Sequence, residues 1–194
     1  MKEVSMAMEV VLRHTQNVVL MQCNTNYTAS LENFKYINLN VLKEYKKKYP
    51  DIVLGLSDHT PGHATVLGAV TLGARVIEKH FTDNTLREGP DHKFSMDFNS
   101  WKDMVDRTRE LELSLGYGVK KIEDNEKETV ILQRRAIRVK YDFLKGDTIV
   151  KDSVEFLRPC PNNGLPPYDI DKVLNKTLIE DLKAGGCITW ENIK

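Results

Sequence analysis

Two periods of hydrophobic residues alternate along the first part of the chain. Short, largely apolar segments at Val18–Cys23, Ile52–Leu56 and Ala74–Glu78 are typical of strands that are covered on both faces. Segments with apolar residues at helical spacing precede, separate and follow them, at residues 4–14, 41–49, 60–70 and 100–111. Because strand and helix alternate with short connections, the pattern predicts an α/β fold with a parallel sheet.

The ends of these helices are predicted from capping residues. Thr60 followed by Pro61 is expected to open the third helix, as a hydroxyl cap with proline at the first helical position. The fourth helix is expected to be capped near Ser100, and Pro50-Asp51 to close the second.

The pattern changes after Gly116. Residues 117–133 are charged and contain glycine, which predicts a linker with a short helix. Brief segments of alternating polarity at 136–140 and 154–157 then predict a small β-rich module. The expected domains are 1–116, 117–133 and 134–194.

Composition excludes several classes of function. Lys plus Arg and Asp plus Glu both number 28, so no net field attracts nucleic acid or an acidic membrane surface. No apolar run is long enough to span a membrane, and the N-terminus lacks the layout of a signal peptide, which predicts a cytoplasmic protein. Three irregularly spaced cysteines argue against a disulfide framework or a zinc finger.

Two histidines are the strongest candidates for chemistry. His59 and His80 each follow a predicted strand, and the carboxyl ends of neighbouring parallel strands lie at one edge of a sheet. Two imidazoles that converge there would suit a divalent metal ion. The alternative is that each is a hydrogen-bonded core histidine.

The residues beside these histidines allow more than one role. Asp58 and Glu78 either orient the imidazoles or bind backbone amides. Lys79 is expected to point away from His80, because successive strand residues face opposite sides, and to serve in packing or an ion pair.

Several motifs follow one another along nearly the whole chain: Gly55–Thr60, Glu78–Thr82, Gly89–Lys93, Arg134-Arg135 and Arg158-Pro159. In this order they resemble the sialic acid synthase (N-acetylneuraminate synthase) family with its legionaminate and pseudaminate relatives. The resemblance implies the C-terminal portion of a TIM (β/α)8 barrel, with about three strands, followed by a small antifreeze-like (SAF) domain. It also implies that the first five barrel strands are absent from this chain.

The same resemblance implies a reaction. In that family phosphoenolpyruvate condenses with the open-chain aldehyde of an N-acetylated amino sugar, N-acetylmannosamine or a diacetamido relative. The products are a nine-carbon α-keto acid and inorganic phosphate. A divalent ion polarises the aldehyde as a Lewis acid, and Mn²⁺ is the implied cofactor, with Mg²⁺ or Co²⁺ as alternatives.

Four of the implied site residues belong to the two strand ends and the loop after them. His59 and His80 match the metal ligands, and Asp91 completes the expected catalytic set by binding sugar hydroxyls. Ser57 matches a donor to the phosphate of phosphoenolpyruvate. The residues by themselves leave open a turn-forming Ser57 and a solvated loop Asp91.

Three further residues are assigned by resemblance. Thr25 and Tyr27 match contacts to phosphoenolpyruvate and to the sugar, although Thr28 stands where a proline usually follows the tyrosine. Arg158 matches an arginine that reaches from the SAF domain of one subunit into the partner barrel of a domain-swapped homodimer. The loop 158–164 is longer than is usual in the family. The alternative is a surface arginine.

Three functions of different class follow from these expectations. The first is a phosphoenolpyruvate-dependent condensing transferase, of which this chain is a part that is inactive alone. The second is a non-catalytic binding or assembly module left by truncation, and the third is a metal-dependent aldolase.

Overall fold

Three parallel strands form the sheet of the first unit, Met1–Gly118, in a computed structural model that describes residues 1–194. Strand β1 spans Val19–Cys23, β2 spans Val53–Asp58 and β3 spans Ala74–Lys79, in the spatial order β1-β2-β3. Each apolar segment of the sequence is therefore a strand, and the prediction of a parallel α/β sheet is confirmed.

Helices alternate with these strands. Their bounds are Lys2–Leu12 for α1, Val41–Lys48 for α2, Ala64–Thr71 for α3 and Phe98–Leu115 for α4, and a 3₁₀ turn spans Leu31–Tyr36. The apolar sides of α2, α3 and α4 and the residues of one face of β2 form a single core. Its buried members are Leu42, Tyr45, Leu54, Leu56, Val66, Ala69, Val70, Ala74, Met96 and Met104.

The start of α3 differs from the prediction. Thr60 does not cap this helix, which begins at Ala64 with His63 in the N-cap position. The Thr60 hydroxyl is instead hydrogen-bonded to the Asp58 carboxylate at 2.9 Å, and Gly62 makes the turn that follows with a left-handed backbone (φ 71°). The expectation was wrong because the Thr60 hydroxyl, which was expected to cap the helix, is hydrogen-bonded to the buried Asp58 carboxylate instead.

The cap of α4 lies near Ser100, as the sequence predicts. Asp97 is the N-cap residue, and its carboxylate accepts hydrogen bonds from the Ser100 amide at 2.8 Å and the Ser100 hydroxyl at 2.6 Å. Ser100 is therefore the third helical residue and binds the cap.

The second unit, Val119–Lys194, contains short elements around its own core. Helix α5 spans Lys127–Gln133, and strands β4 (Ala136–Val139) and β5 (Val154–Leu157) pair in antiparallel fashion. Helix α6 spans Ile170–Val173, and 3₁₀ turns lie at Asp124–Glu126, Lys151–Ser153 and Pro167–Asp169. The buried core residues are Ile137, Val139, Phe143, Ile149, Val154, Leu165, Val173, Leu178, Ile188 and Ile193.

The predicted short helix and β segments after Gly116 are confirmed by this unit, while the domain boundaries 1–116, 117–133 and 134–194 stay a prediction. None of the helices combines the length and apolar character that a bilayer crossing requires.

All three cysteines are free thiols, as the irregular spacing predicts. Burial raises the pKa of the half-buried Cys187 thiol.

Candidate metal and substrate site

Strand register places the two candidate histidines next to each other. Asp58 of β2 and Lys79 of β3 are paired in the parallel ladder, so the residues that follow them, His59 and His80, leave the sheet side by side. Their ring centroids are 5.1 Å apart. The predicted convergence of the strand ends is present, and the role of the two residues as metal ligands stays a prediction.

One ring nitrogen of His59, Nδ1, is hydrogen-bonded to the backbone, and the other, Nε2, is not part of that hydrogen bond. The side chain is buried, and its Nδ1 lies 2.9 Å from the backbone carbonyl oxygen of Asn24, just past the end of β1. Because a carbonyl oxygen can only accept, Nδ1 must carry the proton, and the lone pair of the neutral ring is then on Nε2. This is the arrangement found in metal-binding histidines, whose second ring nitrogen donates to a carbonyl or carboxylate.

His80 lies nearer the surface and close to the predicted sugar-binding carboxylate. Its Nδ1 is 3.6 Å from Oδ2 of Asp91, which exceeds an ordinary hydrogen-bond length. The Asp91 side chain is 49% exposed. The structure therefore brings the three predicted catalytic residues, His59, His80 and Asp91, together at the carboxyl edge of the sheet. The carboxylate of Asp91 is accessible to solvent there.

Two aromatic rings enclose the histidine pair. The Tyr27 ring centroid is 4.3 Å from that of His59 and 5.6 Å from that of His80. The buried Phe94 ring lies 6.0 Å and 5.0 Å from the same two imidazoles. Tyr27 was predicted as a sugar contact and is half exposed beside the pair. Phe94 was missed, and its only signal was an apolar residue at the end of a polar loop.

The loop that carries Asp91 has a defined conformation. Gly89 has φ 151°, and a Cβ atom at this position would lie 2.8 Å from the His92 ring. Nδ1 of His92 is 2.7 Å from the hydroxyl of buried Thr82, just after β3. The loop is thus held against the strand end in a defined shape rather than as a loose segment.

The two predicted phosphoenolpyruvate contacts lie at neighbouring strand ends. Ser57 is half-buried and lies in the last part of β2, two residues before His59. Thr25 is exposed in the segment that follows β1. Their roles in binding stay predictions.

Asp58 and Lys79 form a buried ion pair. This pair shows which of the predicted roles Asp58 and Lys79 have. Nζ of Lys79 is 2.5 Å from Oδ2 of Asp58, and the two side chains are 1% and 0% exposed. Asp58 also accepts a hydrogen bond from the Thr60 amide, at 3.1 Å, and so binds backbone rather than an imidazole. Lys79 is the ion-pair residue that the sequence predicted, and Glu78 is exposed.

Arg158 belongs to the second unit, at the end of β5. It is exposed, and the loop it opens is held by Arg138, which donates to the Pro159 carbonyl at 2.6 Å. The Cys160 amide donates to the Ile131 carbonyl of α5 at 2.9 Å. The longer loop is therefore anchored at its base, and the reach of Arg158 toward a partner stays a prediction.

A parallel βα sheet with paired histidines at its carboxyl edge, followed by a small β module, places the chain in the α/β class with a separate β-rich unit. Residues 1–120 match the NeuB family, and residues 134–194 match the SAF domain. The chain belongs to the NeuB family.

Characterised relatives agree with this assignment. The chain is 36% identical over 199 aligned residues to the N,N'-diacetyllegionaminic acid synthase of Legionella pneumophila, covering 100% of this chain and 54% of that protein. It is 35% identical over 175 residues to a pseudaminic acid synthase of Campylobacter jejuni, covering 89% and 48%. The chain thus spans about half the length of the curated relatives it matches.

Solved structures show the same fold. The N-acetylneuraminic acid synthetase of Leptospira borgpetersenii has a TM-score of 0.57 and 27% identity, covering 66% of this chain and 44% of that one. A spore coat polysaccharide biosynthesis protein of Chromobacterium violaceum has a TM-score of 0.64 over 100% of this chain and 57% of its own, at 17% identity, and supports the fold alone. The predicted family and fold class are confirmed.

Proposed function

We propose that this chain carries the metal-binding and sugar-binding part of a nonulosonic acid synthase. In this proposal phosphoenolpyruvate and an N-acetylated amino sugar aldehyde condense to a nine-carbon α-keto acid and phosphate. The observation that carries it is the histidine pair: two imidazoles 5.1 Å apart at the carboxyl edge of a parallel sheet, with the Nδ1 of His59 held by a carbonyl. The synthase relatives supply the reaction class.

The donor set fits a divalent cation. Neutral imidazole nitrogens bind first-row divalent ions, and Nε2 of His59 carries the free lone pair. His59 and His80 would hold the ion, and no cluster of three His, Cys, Asp or Glu side chains surrounds it. Most coordination positions would therefore be left to water and substrate. When bound, an ion such as Mn²⁺ supplies Lewis-acid polarisation of the aldehyde oxygen.

The remaining side chains would orient the two substrates. Asp91 would accept hydrogen bonds from sugar hydroxyls, and Tyr27 would pack against the sugar, since both lie at the mouth beside His80. Ser57 and Thr25 would bind phosphoenolpyruvate. The methylene carbon of phosphoenolpyruvate would bond to the aldehyde carbon, and water would add to the carbon that bears the phosphate. The carbon–oxygen bond to phosphate would then break to leave the ketone, with the two protons of the water passing to the former aldehyde oxygen and to the phosphate.

Two further parts of the proposal concern the whole protein. Relatives about twice as long as this chain carry the synthase names, so we propose that these 194 residues alone do not turn over. We also place Arg158 at the partner barrel of a domain-swapped homodimer, where a planar, permanently charged fork suits the acyl and carboxyl oxygens of the sugar acid.

A chimera tests this function. In the Legionella synthase, the half that aligns with this chain is replaced by residues 1–194, which the identity of 36% makes feasible. Phosphate release from phosphoenolpyruvate is measured with N-acetylmannosamine or a diacetamido sugar and Mn²⁺. We expect turnover by the chimera and none by its His59→Ala or His80→Ala forms, with His14→Ala as the matched control because His14 is exposed.

A chimera that folds like the parent enzyme but releases no phosphate would contradict the proposal. So would turnover that survives the loss of His80.

A further inference from the structure

We propose that the buried pair of Asp58 and Lys79 is a positioning element for the two histidines. The inference rests on the proposed function only in naming a metal as the eventual ligand of those histidines. Asp58 immediately precedes His59, and Lys79 immediately precedes His80. The pair joins the same two strands one residue before the imidazoles leave them.

The pair is the centre of a larger network of buried groups. Nζ of Lys79 donates to Oδ2 of Asp58 at 2.5 Å and to the Thr60 carbonyl at 2.6 Å. Asp58 accepts from the Thr60 hydroxyl at 2.9 Å and from the Thr65 hydroxyl, in the first turn of α3, at 2.6 Å. The buried carboxylate therefore ties together β2, the turn after it, β3 and α3.

This network fixes the backbone on both sides of His59. The preceding residue is held through its carboxylate, and the following residue, Thr60, is held through its amide, its hydroxyl and its carbonyl. With its neighbours fixed, the imidazole of His59 keeps Nδ1 on the Asn24 carbonyl and Nε2 directed away from it. Lys79, the last residue of β3, is held through its ammonium and so fixes the strand end immediately before His80.

A role in positioning explains why charge is retained at this location. The pair is buried and packs against α3, because the Thr65 hydroxyl in the first turn of that helix donates to Asp58. Apolar residues of similar volume can replace a buried ion pair with little loss of stability, so stability alone does not account for it. The directional hydrogen bonds of the carboxylate and ammonium fix a register that apolar packing would not fix to the same accuracy.

The double variant Asp58→Asn/Lys79→Met of the full chain tests the inference. It removes both charges together and so leaves no unpaired buried ion. The matched control is Asp106→Asn/Lys102→Met, which removes an exposed ion pair on α4 by the same chemical changes. Folding of each is followed by circular dichroism, and the tautomer of His59 by ¹⁵N shifts of its ring nitrogens without metal.

We expect the double variant to stay folded, to lose the single Nδ1–H tautomer of His59, and to bind Co²⁺ about tenfold to a hundredfold more weakly in a spectroscopic titration. The control is expected to match the parent in all three. A folded double variant with the parent's tautomer and Co²⁺ affinity overturns the inference.

Two other outcomes are also decisive. If the parent chain binds no Co²⁺, the proposed metal site fails, and the tautomer comparison alone decides the positioning role. If the double variant does not fold, Thr65→Val takes its place, because it removes one hydrogen bond to Asp58 and keeps both charges. We then expect a loss of Co²⁺ affinity of roughly fivefold, the effect of one hydrogen bond, and an unchanged affinity would overturn the inference.

Discussion

At the scale of single residues, the candidate site depends on which atoms of each side chain are already engaged. His59 donates through Nδ1 to a backbone carbonyl, whereas Nδ1 of His80 lies 3.6 Å from the Asp91 carboxylate, which is too far for an ordinary hydrogen bond. The two imidazoles are therefore held differently: one by the backbone of the neighbouring strand end, the other by its strand and by the ring of Phe94. Asp91 is half exposed and is the carboxylate that we propose to bind the sugar.

Asp91→Asn in the chimeric synthase separates sugar binding from metal binding. We expect KM for the amino sugar to rise by about tenfold to a hundredfold, since each lost hydrogen bond to a charged acceptor is worth about 1.5–3 kcal/mol. The metal affinity is expected to change little, because 3.6 Å between Asp91 and His80 is too long for a hydrogen bond that would orient the ring. Unchanged KM with a weakened metal affinity would show that Asp91 orients His80 instead.

Some of these residues could be predicted from the sequence and others could not. His59, His80 and the ion-pair role of Lys79 follow from strand ends and from the alternation of side chains along a strand. Phe94 could not be predicted, because an apolar residue after a polar loop gives no period from which to assign a face. The partner of Asp58 could not be predicted either, since it depends on the register between two strands.

At the scale of elements, the connection from β2 to α3 shows where local signals mislead. Thr60-Pro61 has the local features of a helix start, but the buried Asp58 carboxylate binds the Thr60 hydroxyl and delays the helix to Ala64. A competing local hydrogen bond, to a carboxylate two residues back along the chain, thus overrides a capping signal. The strands and the other helices were predicted correctly because their apolar periods are long enough to specify burial.

The cap of α4 gives a pH-dependent prediction. Hydrogen bonds from the Ser100 hydroxyl and amide lower the pKa of Asp97. The folded-state pKa is then below the unfolded one, so this carboxylate stabilises the fold above its unfolded pKa, and the contribution is lost as pH falls through the folded pKa. We expect Asp97→Ala to lower the thermal midpoint at about pH 7, and to lower it by less at about pH 3, which is below the ordinary aspartate pKa of about 3.9.

Thermal unfolding followed by circular dichroism at both pH values measures this difference. Asn99→Ala, at an exposed position in the same helical turn, is the control and is expected to leave the midpoint nearly unchanged. An Asp97→Ala penalty of equal size in acid and at neutral pH would show that the cap acts without its charge.

At the scale of the whole molecule, the chain consists of a βα unit with the candidate site and a β-rich unit with Arg158. Each unit has its own buried core, and the chain spans about half the length of its synthase relatives. The site described by His59, His80, Tyr27 and Asp91 lies entirely in the first unit. Metal binding can therefore be measured on these 194 residues even though we propose that turnover needs a longer protein.

Co²⁺ binding by the full chain tests the central claim most directly. A visible absorption titration of the parent is compared with His59→Ala, His80→Ala and the exposed-site control His14→Ala. The account predicts one ion per chain for the parent and for the control, and a loss of affinity of at least about tenfold for either of the first two variants. Co²⁺ binding that persists unchanged without His59 or without His80 would contradict the claim that the two imidazoles share one metal ion.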